Sequence, residues 1–97
     1  MPFEWDPAKN RSNIRKHGVR FEDTIRIFTD PNLREFAQSD DLDDEERWVA
    51  FGRADRTRLD VLMAVYTDRW PDVRRIISAR HATAEETDDY HSRFYPV

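Results

Sequence analysis

LDVLMAVYTDRWPDVRRIISAR, residues Leu59–Arg80, reads as two strands joined by a turn, and the fold is built outward from it. In the first arm Leu59, Val61, Met63 and Val65 fall on one parity and Leu62, Ala64 and Tyr66 on the other. Both faces are therefore apolar, the pattern of a central strand covered on both sides. Asp68–Asp72 supplies turn residues, with Pro71 unable to donate to a ladder, and Val73–Ala79 resumes β-branched residues as a returning strand. Regular alternation puts Val73, Arg75, Ile77 and Ala79 on one face and Arg74, Ile76, Ser78 and Arg80 on the other. Arg75 and Arg80 then share a site only if Arg80 lies beyond the strand's end.

Working outward, Arg47–Gly52 is a preceding strand and Leu33–Ala37 a first one, separated by the acidic loop Gln38–Glu46. Phe3-Glu4-Trp5 is an edge strand or anchoring segment that buries Trp5. Asp6 then Pro7 is a helix start, an acceptor at the cap followed by a proline whose missing N–H costs nothing there. This helix runs to about His17 and ends on Gly18, with Lys9, Asn13 and Lys16 on one polar face and few apolar residues elsewhere. Phe21–Thr29 is a second helix with Phe21, Ile25 and Phe28 as its apolar stripe. Thr83-Ala84-Glu85-Glu86 is a capping box opening a last helix to about Phe94, with Glu86, Tyr90 and Phe94 on one face. The expected architecture is α+β. A small antiparallel sheet of three or four strands is packed by two N-terminal helices and one C-terminal helix, in a single domain over 1–97.

Cysteine is absent from these 97 residues, and neither a signal-type segment nor an apolar run near the roughly 20 residues of a membrane span occurs, so a cytoplasmic protein without a membrane partner is expected. The net charge is −4, but Gln38–Glu46 carries six acids and no base, whereas residues 47–80 carry eight Arg against four Asp. The hairpin is thus the basic part of an acidic chain. Fourteen of the 16 basic residues are Arg, whose planar fork suits phosphate, although a GC-rich codon bias produces the same excess.

Lys16-His17-Gly18 reads first as a helix end, with cations at the negative dipole, and only second as a cation beside an imidazole suited to proton transfer. Arg75 and Arg80 form either a phosphate clamp or solvated charges that protect an edge strand. A carboxylate at Glu45-Glu46-Arg47 is a candidate base or part of a solvated loop. Tyr66, Trp70 and Tyr90 suit base stacking, but their periodicity suits a core. No Cys and no His spacing typical of metal ligation occurs, so neither a metal nor a cofactor is expected.

FEWDPAKNRSNIRKHGVRFEDT (Phe3–Thr24), EERWVAFGR (Glu45–Arg53), VYTDR (Val65–Arg69) and RIISARHAT (Arg75–Thr83), with Glu86 and Tyr90, closely resemble the BrnT family of bacterial toxins. The resemblance spans nearly the whole chain in order. It implies a RelE-like fold and a metal-independent endoribonuclease that cleaves RNA, free or on ribosomes, and inhibits translation. It also implies a BrnA-like ribbon-helix-helix antitoxin as partner, through which alone operator DNA is bound. Such chemistry joins the ribose 2′-OH to the adjacent phosphate, and needs a base, an acid and cations on the phosphorane. Carried onto this sequence, the resemblance points to Arg75, Arg80, Glu45 and His17 as catalytic, and to Lys16, Arg47 and Arg69 as substrate-binding. Relatives often carry Lys and Arg between the alanine and the tyrosine of the last motif, where this chain has Glu85, Glu86, Asp88 and Asp89. Weaker, less salt-sensitive RNA binding is the expectation. A non-catalytic RNA- or antitoxin-binding module of the same fold is the alternative.

Overall fold

Val19, Phe21, Ile27, Tyr66 and Ile76 come together with Leu62 and three alanines as one core under a five-stranded sheet. The computed structural model describes residues 2–38, 46–55, 57, 59–69 and 71–92. In chain order these form β1 (Phe3–Glu4), α1 (Pro7–His17), α2 (Phe21–Thr24) continued by a 3₁₀ segment (Ile25–Thr29), β2 (Arg34–Ala37), β3 (Trp48–Gly52), β4 (Leu62–Arg69), β5 (Val73–His81) and α3 (Ala84–Ser92). The sheet order is β1-β5-β4-β3-β2, with β1 parallel to β5 and the other pairs antiparallel. The α+β class and the central hairpin are as expected. A purely antiparallel sheet of three or four strands is not, because Phe3 and Glu4 pair in parallel with Arg74 and Arg75 at the outer edge of β5.

The local punctuation explains the helices. Asp6 Oδ1 accepts from the Ala8 N–H at 2.9 Å, Pro7 opens α1, and Gly18, at φ 69°, closes it with its N–H on the Ile14 carbonyl. At α3 the capping box forms as read: the Glu86 N–H donates to Thr83 Oγ at 3.1 Å and the Thr83 N–H to Glu86 Oε1 at 2.8 Å. Phe94 and Trp70 lie outside the described residues.

Three expectations are corrected. The second helix tightens into 3₁₀ geometry after Thr24, so its deepest residues are Phe21, Thr24 and Ile27, three apart, while Ile25 and Phe28 pack at the margin. Leu59 is 72% exposed and precedes the strand; Val61 and Leu62 begin the buried run. Trp5 is half-buried, packed edge-on to Phe21 with ring centroids 6.0 Å apart.

Helix α1 is docked by amides rather than by an apolar stripe, which accounts for its weak amphipathicity. Asn10 accepts from the Phe21 N–H at 3.0 Å and donates to Glu22 at 2.6 Å. Asn13 accepts from the Ala79 N–H at 3.1 Å and donates to the Ala79 and Val19 carbonyls at 2.7 and 3.0 Å. Beyond the short β1, the edge of β5 is thus closed by a side-chain amide standing in for a neighbouring peptide, meeting the requirement that buried backbone groups be paired. Burial of each large core side chain such as Ile76 or Phe21 contributes about 1.5–3 kcal/mol.

Candidate active site

The sheet has two unlike faces because β4 alternates Leu62, Ala64, Tyr66 against Met63, Val65, Thr67, and cross-strand partners project to the same side. One face carries Ala50, Ala64, Tyr66, Ile76 and Ala79 and packs under α2 and the 3₁₀ segment. The other carries, by register, Arg34, Phe51, Met63 and Arg80 in one row and Thr67 with Arg75 in another, with Val65 and Ser78 between.

Arg75 and Arg80 reach this second face together by a route that alternation does not anticipate. Arg80 does not leave the strand, since β5 continues to His81. Instead the register slips between Val65, opposite Ser78, and Tyr66, opposite Ile76, leaving Ile77 unpaired as a β-bulge. The extra residue moves Ser78 and Arg80 onto the side of Arg75, and Arg74 and Ile76 onto the side of Ala79. Burial agrees: Ile76 and Ala79, three apart, are 1% and 0% exposed. The bulge therefore replaces the expected grouping of Arg74, Ile76, Ser78 and Arg80, and that of Val73, Arg75, Ile77 and Ala79.

Arg74, on the core side, is structural. Its guanidinium sits 4.9 Å from the Phe28 ring centroid and 5.0 Å from that of Tyr66, and it pairs with Glu35 at 3.0 Å. Tyr66 donates to the same Glu35 at 2.6 Å, and burial pushes its hydroxyl pKa upward. Tyr66 and Tyr90, both buried, belong to packing rather than to base stacking.

The arginines of the second face meet carboxylates. Glu4, the parallel partner of Arg75, lies 3.4 Å from it and 3.8 Å from Arg69, so Arg69 and Arg75 share one acid. Arg80 is bidentate on Glu86 at 2.8 and 3.1 Å. That fork, followed by the cap bonds to Thr83, holds the Glu86 carboxyl at about 2 and raises the Arg80 guanidinium. Arg47 is half-buried at the entrance to β3 and continues the parity of Val49 and Phe51; its carbonyl accepts from the Gln38 N–H at 2.8 Å. Glu45 lies outside the described residues; the carbonyl of Glu46 accepts from Thr67, the cross-strand partner of Arg75, at 2.8 Å.

Lys16 and His17 sit at the last turn of α1. With Lys9, Ser12 and Asn13 they line a cleft of about 180 Å³ against Ile77 and Ser78, so the basic side of α1 borders the face that holds Arg75 and Arg80. Among the expected site residues, Arg47, Arg69, Arg75 and Arg80 thus share one sheet face, and Lys16 and His17 flank its bulged edge. Sequence reasoning misses Lys9, Ser78, Arg34 and the partner acid Glu4. Lys9 is legible as the other lysine of the Lys9, Asn13, Lys16 face, whereas Glu4 becomes visible only through the parallel register of a two-residue strand.

A family model described as the ribonuclease toxin BrnT of type II toxin–antitoxin systems matches residues 5–86. No functionally curated protein matches the chain. The crystal structure of the Brucella abortus ribonuclease toxin BrnT superposes with a TM-score of 0.68 at 26% identity, covering 86% of this chain and 97% of that one. On the extent of that model match, with the fold agreeing, this chain belongs to the BrnT family of ribonuclease toxins.

Proposed function

We propose that the chain is a metal-independent endoribonuclease that acts on RNA in the cytoplasm, inhibits translation and is neutralised by a BrnA-like antitoxin. The observation that carries this reading is the bulge at Ile77, which groups Arg75, Ser78 and Arg80 on one sheet face bordered by Lys16 and His17. In the proposed reaction a base takes the ribose 2′-OH proton, the 2′-oxygen bonds to the adjacent phosphorus, and the bond to the 5′-oxygen breaks as an acid protonates it. The products are a 2′,3′-cyclic phosphate and a 5′-OH. Arg75 and Arg80 supply fixed positive charge where the phosphorane develops, and arginine keeps that charge at any working pH. His17 is a candidate for either proton transfer, with Glu45 in the same pool; Lys16, Arg47 and Arg69 hold flanking phosphates.

Purified protein incubated with RNA in EDTA is expected to produce discrete fragments. Arg75→Ala and Arg80→Ala should each reduce the rate about 10²–10³-fold, the range for removing one preorganised charge stabiliser. RNA left intact on and off ribosomes would remove the enzyme reading, and loss of cleavage in EDTA would remove the metal-free one. A binding module without turnover is favoured by one observation, that Arg75 and Arg80 are both engaged by carboxylates, Glu4 and Glu86. It predicts RNA retention with no fragments.

A further inference from the structure

Helix α3 lies across one cross-strand row of the arginine face. The row runs Arg80, Met63, Phe51, Arg34 from β5 to β2, and both of its outer residues are cations. One turn of α3 meets both: Glu86 takes Arg80, and Asp89, three residues on, takes Arg34 at 2.9 Å. Between them a cleft of about 230 Å³ is lined by Arg34, Phe51, Glu85, Glu86, Asp89 and Tyr90. The chain thereby sets two carboxylates, about one helical turn apart, on the guanidinium groups that a polyanion crossing this row would seek.

The two contacts are not equivalent. Glu86 is held by a bidentate fork and by the Thr83 cap, so it belongs to the base of the helix. Asp89 makes its contact from a side chain that is 61% exposed, while Arg34 beneath it is only 11% exposed and stacks 4.7 Å from the Phe36 ring centroid. Arg34 is a fixed, preorganised and largely buried cation that needs an anion against it, and the exposed Asp89 carboxylate can return to water when an incoming phosphate takes its place.

We propose that Arg34 is a phosphate-binding residue for RNA and that α3 is an autoinhibitory strap over it, fixed before the contact by the Arg80–Glu86 pair and after it by the buried Tyr90, which donates to Asp30, with the Asp89 side chain as the latch. This rests on the ribonuclease reading for its ligand. RNA enters the row when Asp89 releases Arg34, so the affinity of the resting protein is set partly by its own helix.

The test is equilibrium binding of a 2′-O-methyl RNA oligonucleotide, which lacks the nucleophile and so separates binding from cleavage. Asp89→Asn is expected to bind about three- to tenfold tighter, and the log–log salt dependence to steepen by about 0.7, the increment for one more neutralised phosphate. Asp88→Asn, the same charge change one residue away, should change affinity less than about twofold if charge alone is not the cause. Arg34→Ala combined with Asp89→Asn should return the affinity to that of the wild type or below. Equal effects of the Asp88 and Asp89 variants, or unchanged binding by Asp89→Asn, overturn the strap. Cleavage of unmodified RNA by the same proteins keeps the two ideas apart. Tighter binding without fragments from any variant retains the strap and removes the ribonuclease reading, and fragments from the wild type with unchanged binding do the reverse.

Discussion

Replacing Asn13 by alanine tests the link between fold and site, because this one amide closes the β5 edge next to the bulge. The side chain satisfies three buried backbone groups, the Ala79 N–H, the Ala79 carbonyl and the Val19 carbonyl, at 3.1, 2.7 and 3.0 Å. Each group left without a partner costs about 1–3 kcal/mol. Asn13 also lines the cleft beside Lys16, so water can recover part of the loss, and the expected destabilisation is about 2–4 kcal/mol. For a domain of this size that lowers Tm by about 10–25 °C. Asn13→Asp sharpens the test, since it keeps an acceptor for the Ala79 N–H but sets a carboxylate against two carbonyl oxygens. It should be worse than Asn13→Ala at neutral pH and recover as the pH falls, when the neutral acid can donate in place of the amide. Urea and thermal unfolding of the two variants between about pH 5 and 8 measure this. A loss below about 1 kcal/mol for Asn13→Ala, or no pH dependence separating the two variants, would refute the role assigned to the amide.

Gly52→Ala should cost about 1–3 kcal/mol, because a Cβ there would lie 3.0 Å from the Ile27 Cβ and 3.1 Å from its carbonyl oxygen; thermal unfolding reads it. The Glu86 carboxyl titrates at about 2, below its ordinary 4.5, so its contribution is complete above about pH 5 and is lost as the pH falls toward 2. With 29% of that side chain exposed, solvent screening reduces the contribution to about 1–2 kcal/mol. Wild type minus Glu86→Gln stability should therefore shrink across that acid window, and a constant difference would count against the Arg80 fork. Glu4→Gln removes the acid that Arg69 and Arg75 share and should tighten RNA binding about twofold to fivefold, measured by titration at two salt concentrations.

Much of this architecture is legible in short-range chemistry. Asp6, Pro7 and Gly18 bound α1, and the Thr83–Glu86 box opens α3, because each acts within a few residues. The apolar hairpin gives β4 and β5 for the same reason. What is hidden depends on distant partners. Phe3 and Glu4 become a strand only against Arg74 and Arg75, 71 positions away. Asn10 and Asn13 look like a solvated helix face until Phe21 and Ala79 are packed against them. The bulge at Ile77 has no glycine or asparagine to mark it, and a slip of one residue exchanges the faces of Ser78 and Arg80. The candidate arginines could thus be named from the sequence, whereas their placement on one face could not. Likewise Arg34 and Asp89 are 55 residues apart, and their pairing follows only from α3 folding back across the sheet.

If Arg75 and Arg80, brought to one face, assist attack by a ribose 2′-OH on the neighbouring phosphate, removing that hydroxyl must abolish the reaction. The decisive comparison, in EDTA, is between an all-ribose RNA oligonucleotide and the same strand carrying a single 2′-deoxy substitution at the mapped cleavage position. The all-ribose strand is expected to yield a 2′,3′-cyclic phosphate and a 5′-OH while the substituted strand stays whole at that position; cleavage there despite the missing hydroxyl would contradict the proposed chemistry.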